Sequence, residues 1–331
     1  MIATQRILLV LWFLSSALSF CEEPHPVGPS PQEQRNIRSH NQAHQREISP
    51  PAFPIQRPFA EYEQVKYLVM GGKFYFQSQP VKTEIAKNIP SDVTLIVGTN
   101  SEEEATSLRA YYNQFVDERR LSVFAVPKGI GFWVRDSLPF PVYRADTSRL
   151  ALVDARYFKF VEPDLEIAKQ LGVDLVRHNL YFEGGNLISD TTGNCITVEK
   201  PGESIPQIIF QSFYGCSSVL RLPFTRGVGH VDERIKLLSD KVALTDEPSY
   251  LPELEKHRFT THLLPKLEEY ETYANALLVN HTAFVPIYGH ATDQDALTLY
   301  EANGYRAIGM RVDSLAHYGQ GALHCLTMTY P

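Results

Sequence analysis

The stretch Gly321-Ala322-Leu323-His324-Cys325-Leu326-Thr327-Met328-Thr329-Tyr330 sets one cysteine between a histidine and a short apolar and hydroxylic run, almost at the end of the 331-residue chain. A terminal cysteine is ordinarily an idle or buried thiol. Its spacing from other polar residues points elsewhere. Asp136, Asn186, His230, Asn275 and Cys325 each precede a strand candidate, and they stand 50, 44, 45 and 50 residues apart. A near-constant period of this length marks a supersecondary unit repeated along the chain. Five such units around one axis would bring the strand starts together on one face, so residues distant in sequence would line one pocket. The competing reading is coincidence in the choice of residues.

The flanking elements read as an alternating α/β chain. Val65 to Met70 and Val93 to Gly98 are strand candidates, and Ser101 caps a helix with an acidic first turn running to about Val116. Leu121 to Val126 is a further strand. Hairpins are expected over 186–198, 232–244 and 275–286, and helices near 163–171, 250–268 and 293–303.

Residues 1–20 read as an export signal: Arg6 is the positive start, Ile7 to Leu14 the apolar run, and Ser15 to Ser19 the small residues before cleavage. The apolar run is short for a membrane span. Cys21 raises a lipid anchor as a lesser alternative, because the large Phe20 before it suits lipidation poorly. Residues 21–58 are rich in Pro, Gln and His, and read as a disordered linker. Residues 59–331 then form the folded domain. The net charge of -7 argues against nucleic acid as a partner. Of the four cysteines, Cys195 and Cys216 are candidates to pair in an oxidising compartment, leaving Cys325 free; two buried thiols would read the same.

A thiol nucleophile needs a route to thiolate and a group that moves protons. Cys325 and His230 supply both. A planar guanidinium is best held by carboxylates that accept its forked hydrogen bonds, and Asp136 and Asp232 fit that need. Trp133 offers an aromatic wall for a cation. Each motif alone has a plain reading. Trp133-Val134-Arg135-Asp136 suits a strand end with an ion pair. Glu183-Gly184-Gly185-Asn186 suits a tight turn in which glycine permits positive φ. His230-Val231-Asp232 suits an edge strand whose alternation puts His230 and Asp232 on one face.

Together with Tyr273-Ala274-Asn275-Ala276-Leu277-Leu278-Val279-Asn280 and Leu323 to Thr327, these motifs resemble, in order over roughly 60–331, the bacterial peptidylarginine deiminase and agmatine deiminase family of guanidino-group-modifying enzymes. The resemblance implies a five-bladed α/β propeller (the pentein fold) of ββαβ-like units around a pseudo-fivefold axis. It also implies Cys325 as nucleophile, His230 as general acid/base, Asp136 and Asp232 as guanidinium ligands, Asn275 as a further site residue, and a covalent thiouronium intermediate without cofactor or metal. Ser137-Leu138-Pro139 after Asp136 departs from the family's usual Gly or Thr. Secreted relatives that take carboxy-terminal arginine carry two arginines beyond the Leu152-Val153-Asp154 strand; here Lys159 stands for the first at most. Glu183 resembles the agmatine branch and is expected to face a dicationic substrate. The expected partner is therefore a small guanidinium compound or an arginine-containing peptide, met in a secreted or periplasmic setting. An amidinotransferase, or a catalytically silent guanidinium-binding protein, are the alternatives.

Overall fold

The computed structural model describes residues 28–331 apart from 160, 162 and 201–204. The expected export signal and Cys21 lie outside the described residues.

Four consecutive segments repeat one pattern, in which an antiparallel strand pair is followed by a helix and a third strand parallel to the second. The first runs Phe140–Arg144, Leu150–Arg156, helix Asp164–Leu171 and Asp174–Tyr181. The second runs Ile188–Ser189, Asn194–Glu199, helix Gln207–Ser212 and Ser218–Pro223. Ile235–Leu237, Val242–Thr245, helix Leu251–Lys256 and Thr260–Leu263 make the third. The fourth is Leu277–Val279, Thr282–Ile287, helix Asp293–Ala302 and Arg306–Arg311. A fifth unit uses both ends of the chain. Thr327–Tyr330 pairs antiparallel with Tyr67–Gly71, which pairs in parallel with Thr94–Thr99 across the helix Ser78–Asn88. Leu121–Ala125 extends that sheet.

Middle strands such as Tyr67–Gly71 and Thr282–Ile287 are buried along nearly their whole length. Their continuous apolar runs follow, because helices and neighbouring units cover both faces. The expected Ser101 cap is present, its hydroxyl accepting from Glu104 N–H. The three expected hairpins form. The long helix expected over 250–268 does not: it stops at Lys256, Arg258 takes φ 69°, and a strand begins at Thr260.

Within the expected linker, residues 28–58 are described, and they carry regular structure. Pro31–His44 is a helix started by a capping box between Ser30 and Glu33. Asn41 clamps both backbone groups of Tyr181, at 2.9 and 3.0 Å. Ile55–Pro58 then adds a strand to the edge of the first unit. Low apolar content predicted disorder, but this segment is ordered by side-chain hydrogen bonds to a strand already in place. Cys195 and Cys216 are joined, as their reading allowed, and Cys325 is a free, buried thiol.

Candidate active site

Each periodic polar residue sits in a turn or bend just ahead of its strand. Asp136 lies in the one-turn helix Val134–Ser137, Asn186 ends the 3-10 turn Gly184–Asn186, and His230 caps the turn Val231–Glu233. His230 and Asp232 thus belong to a turn, and the strand alternation expected for them is absent. They meet nonetheless. An atom at the Cβ position of Gly185 would lie 2.7 Å from Asp136 Oδ1, 2.9 Å from His230 Nδ1 and 3.1 Å from Asp232 Oδ2. Gly184 would place one 2.3 Å from the Arg135 carbonyl. Neither glycine has positive φ, so these two are required by close approach and not by turn geometry.

Cys325 is held from the side by Asn275. The Asn275 amide donates to Sγ at 3.2 Å, and its oxygen accepts the His324 and Cys325 N–H groups at 3.1 and 3.3 Å. Sγ lies 3.9 Å from Asp232 Oδ2. Burial pushes the Cys325 thiol well above its usual range, and the charges of Asp232 and Asp136 push it further. The unliganded site therefore holds a thiol.

His230 Nε2 bonds Glu183 Oε2 at 2.8 Å, while Nδ1 stands 3.4 Å from Asp136 Oδ1. Burial alone lowers the imidazole's pKa; Asp136 and Glu183 outweigh it and raise the value to about 9. His230 is thus an imidazolium at neutral pH. Asp136 is pushed up, by burial first and by the charges of Glu183 and Asp232, against the pull of His230. Glu183, expected to meet the substrate, lines the cavity and also bonds His230 Nε2.

Asp232 is buried, yet its carboxyl is held below the ordinary range by His324, whose Nδ1 approaches Oδ2 at 2.6 Å. The other oxygen, Oδ1, has no hydrogen-bond partner among the described residues. A buried acceptor left so is costly unless a donor arrives, which suits a guanidinium N–H. Behind Asp232, His324 Nε2 reaches Glu61 at 3.1 Å, and Glu61 pairs with Lys236 at 2.7 Å and Arg135 at 3.7 Å. The sequence reading passed over His324, Glu61, Arg135 and Lys236.

Asp136, Glu183, His230 and Cys325 line a cavity of about 510 Å³. Trp133 lines it and presses so close to Gly319 and Gly321 that an added Cβ would meet its ring at 2.8 and 3.0 Å. Lys159 does not line it; its ammonium lies 4.8 Å from the Phe158 ring centre. The register shift between Asp154 and Arg156 accompanies a change of direction that brings Arg156, Tyr157 and Phe158 to the pocket instead. Tyr157 stays a neutral phenol, raised by burial and then by the charges of Asp136, Glu183 and Cys325. Asp136, Glu183 and His230 each offer a ligand atom within 4.8 Å of the others, a set that a divalent ion would fit. An imidazolium at His230 opposes such binding, since a metal needs the neutral ring.

Residues 229–331 match the model of the Porphyromonas-type peptidyl-arginine deiminase family. The chain carries that family's domain pattern in its final third. Solved structures share the architecture over most of their length. A Porphyromonas gingivalis protein provisionally named an arginine deiminase is 21% identical, with TM-score 0.68, over 82% of this chain and 97% of that one. The agmatine deiminase of C. jejuni is 15% identical at TM-score 0.67 over 82% and 95%. That of Enterococcus faecalis is 19% identical at TM-score 0.66 over 84% and 96%. At these identities the likeness is one of fold, a mixed α/β fold of the deiminase type. The peptidyl-arginine deiminase family and these agmatine deiminases are hydrolases acting on amidine carbon–nitrogen bonds. The matched span includes His230, Asp232, Asn275 and Cys325, whereas Asp136 and Glu183 lie before it.

Proposed function

We propose that this protein is a cysteine-dependent deiminase of guanidinium compounds. One observation carries the reading: a thiol, an imidazolium and two carboxylates, from three turns that lead into different units, converge at one end of the cavity. Asp136 and Asp232 accept the substrate's N–H groups. Their negative charge, which disfavours a thiolate in the empty site, is offset by the bound cation, so Cys325 gives up its proton to solvent as substrate binds. The thiolate adds to the guanidinium carbon. His230 gives its proton to the departing nitrogen, which leaves as ammonia, and a thiouronium remains on Sγ. Neutral His230 then takes a proton from water, the resulting hydroxide adds to the same carbon, the C–S bond breaks to return the Cys325 thiolate, and the remaining O–H proton passes to solvent to leave the ureido product.

The five repeated units, with the last strand paired into the first sheet, support a ring around a pseudo-fivefold axis. The Cys195–Cys216 bond supports a secreted or periplasmic location, where disulfides persist. No helix among the described residues is long and apolar enough to cross a membrane.

The test is a ureido-product assay with agmatine, free arginine, an internal-arginine peptide and a carboxy-terminal-arginine peptide. Turnover that vanishes in Cys325→Ala is expected. Turnover retained by that variant sinks the mechanism, and tight agmatine binding without turnover makes the protein a binder.

A further inference from the structure

The helix Pro31–His44 lies outside the repeated units, yet it forms one side of the cavity. Gln34, Ile37, Arg38 and Asn41 line the pocket, as does Gly28 before the helix. These positions recur at three- and four-residue steps, so a single helix face looks inward while Gln32, Arg35, Asn36 and Ser39 are exposed. The other walls come from the first and second units and from the turns that carry His230 and Cys325.

What holds the helix is slender. Ile37 is its one large apolar residue, and Asn41 is its only buried one. The two Asn41 bonds to Tyr181 and the His40 Nε2 contact with the Asn179 carbonyl, at 2.7 Å, fasten it to the end of the strand Asp174–Tyr181. That strand runs directly into Glu183. The tether beyond the helix is pinned apart from it, with the Arg144 guanidinium 4.1 Å from the Phe53 ring centre. A helix fastened mainly by a few polar contacts opens locally without unfolding the domain.

We propose that this helix is the specificity wall of the site: it sets the size of what reaches Cys325, admitting small free guanidinium compounds and excluding arginine within a longer polypeptide. The substrate class rests on the deiminase reading; the size limit does not.

The experiment uses the full chain and two variants, Ile37→Pro, which breaks the helix from within, and Asn41→Ala, which removes its clamp. Hydrogen exchange first establishes that protection over 31–44 is lost while the strands keep theirs. Alkylation of Cys325 by iodoacetamide and by a polyethylene-glycol maleimide is then compared by peptide mass mapping, beside kcat/KM for agmatine and for an internal-arginine peptide. Access of a bulky group scales with the open fraction, so both bulky-to-small ratios are expected to rise about tenfold or more in the variants. Equal alkylation rates in the parent protein, or unchanged ratios once the helix is shown to be open, overturn the proposal. A raised alkylation ratio with no ureido product from any substrate supports the wall and sinks the deiminase reading.

Discussion

Gly185 stands where three functional side chains leave no room for a fourth. A Gly185→Ala methyl would fall within 3.1 Å of Asp136, His230 and Asp232. Because its φ is ordinary, alanine fits the backbone, and the damage is confined to the site. Activity is expected to fall by about 100-fold, the usual effect of an ångström-scale misplacement, with an unchanged melting curve. The pH profile is a second test at this scale. Raised by Asp136 and Glu183, His230 keeps its proton up to about 9 and loses it above, so kcat/KM falls on the alkaline side there. Protonation of Asp136 removes a guanidinium acceptor. Since burial raises that group, the acid limb is expected above the ordinary carboxylate range. A limb at the usual aspartate pKa would contradict the burial argument. That Cys325, His230, Asp136, Asp232 and Asn275 come together was expected from residue chemistry, spacing and the family resemblance, and their side chains do meet. Lys159 stands off the cavity beyond a local bulge, whereas Glu183 lines it; the Glu183–His230 contact was not legible because that distance is set by two separate turns.

At the scale of elements, the chain Asp232–His324–Glu61–Lys236 ties two turns and the strand Ile235–Leu237 to the segment ahead of Tyr67–Gly71. Glu61→Gln leaves Lys236 buried with no carboxylate and loosens His324 from Asp232. A loss of about 3 kcal/mol is expected from urea denaturation at neutral pH, the range for breaking a buried pair. The Glu61 carboxyl is held well below its unfolded value: burial raises it, but His324 and Lys236 outweigh that effect. Its contribution is therefore present above the ordinary carboxylate range and is lost as pH falls. The difference between Glu61 and Glu61→Gln should shrink in acid; a constant difference would locate the effect in packing. None of this was readable from the strand pattern. Glu61 lies outside the periodic positions, and the segment before it had been taken for linker.

For the whole molecule, the Cys195–Cys216 bond closes a loop with a sequence separation of 21. Replacing both cysteines by alanine is expected to cost about 3 kcal/mol, from loop-closure entropy in the unfolded chain. Chemical denaturation measures it, and the ureido assay should be unaffected, since the bond lies apart from Cys325. The sequence alone determined the repeated unit, the hairpins and the chemical type of the site. Period, turn residues and residue identity are local properties, and each is written within one unit. Tertiary structure alone decided which oxygen of Asp232 is unpartnered, that Asp136 and Glu183 flank His230, and that one face of Pro31–His44 lines the cavity. Each depends on distances between segments tens to hundreds of residues apart, and on burial that exists only once the units have met.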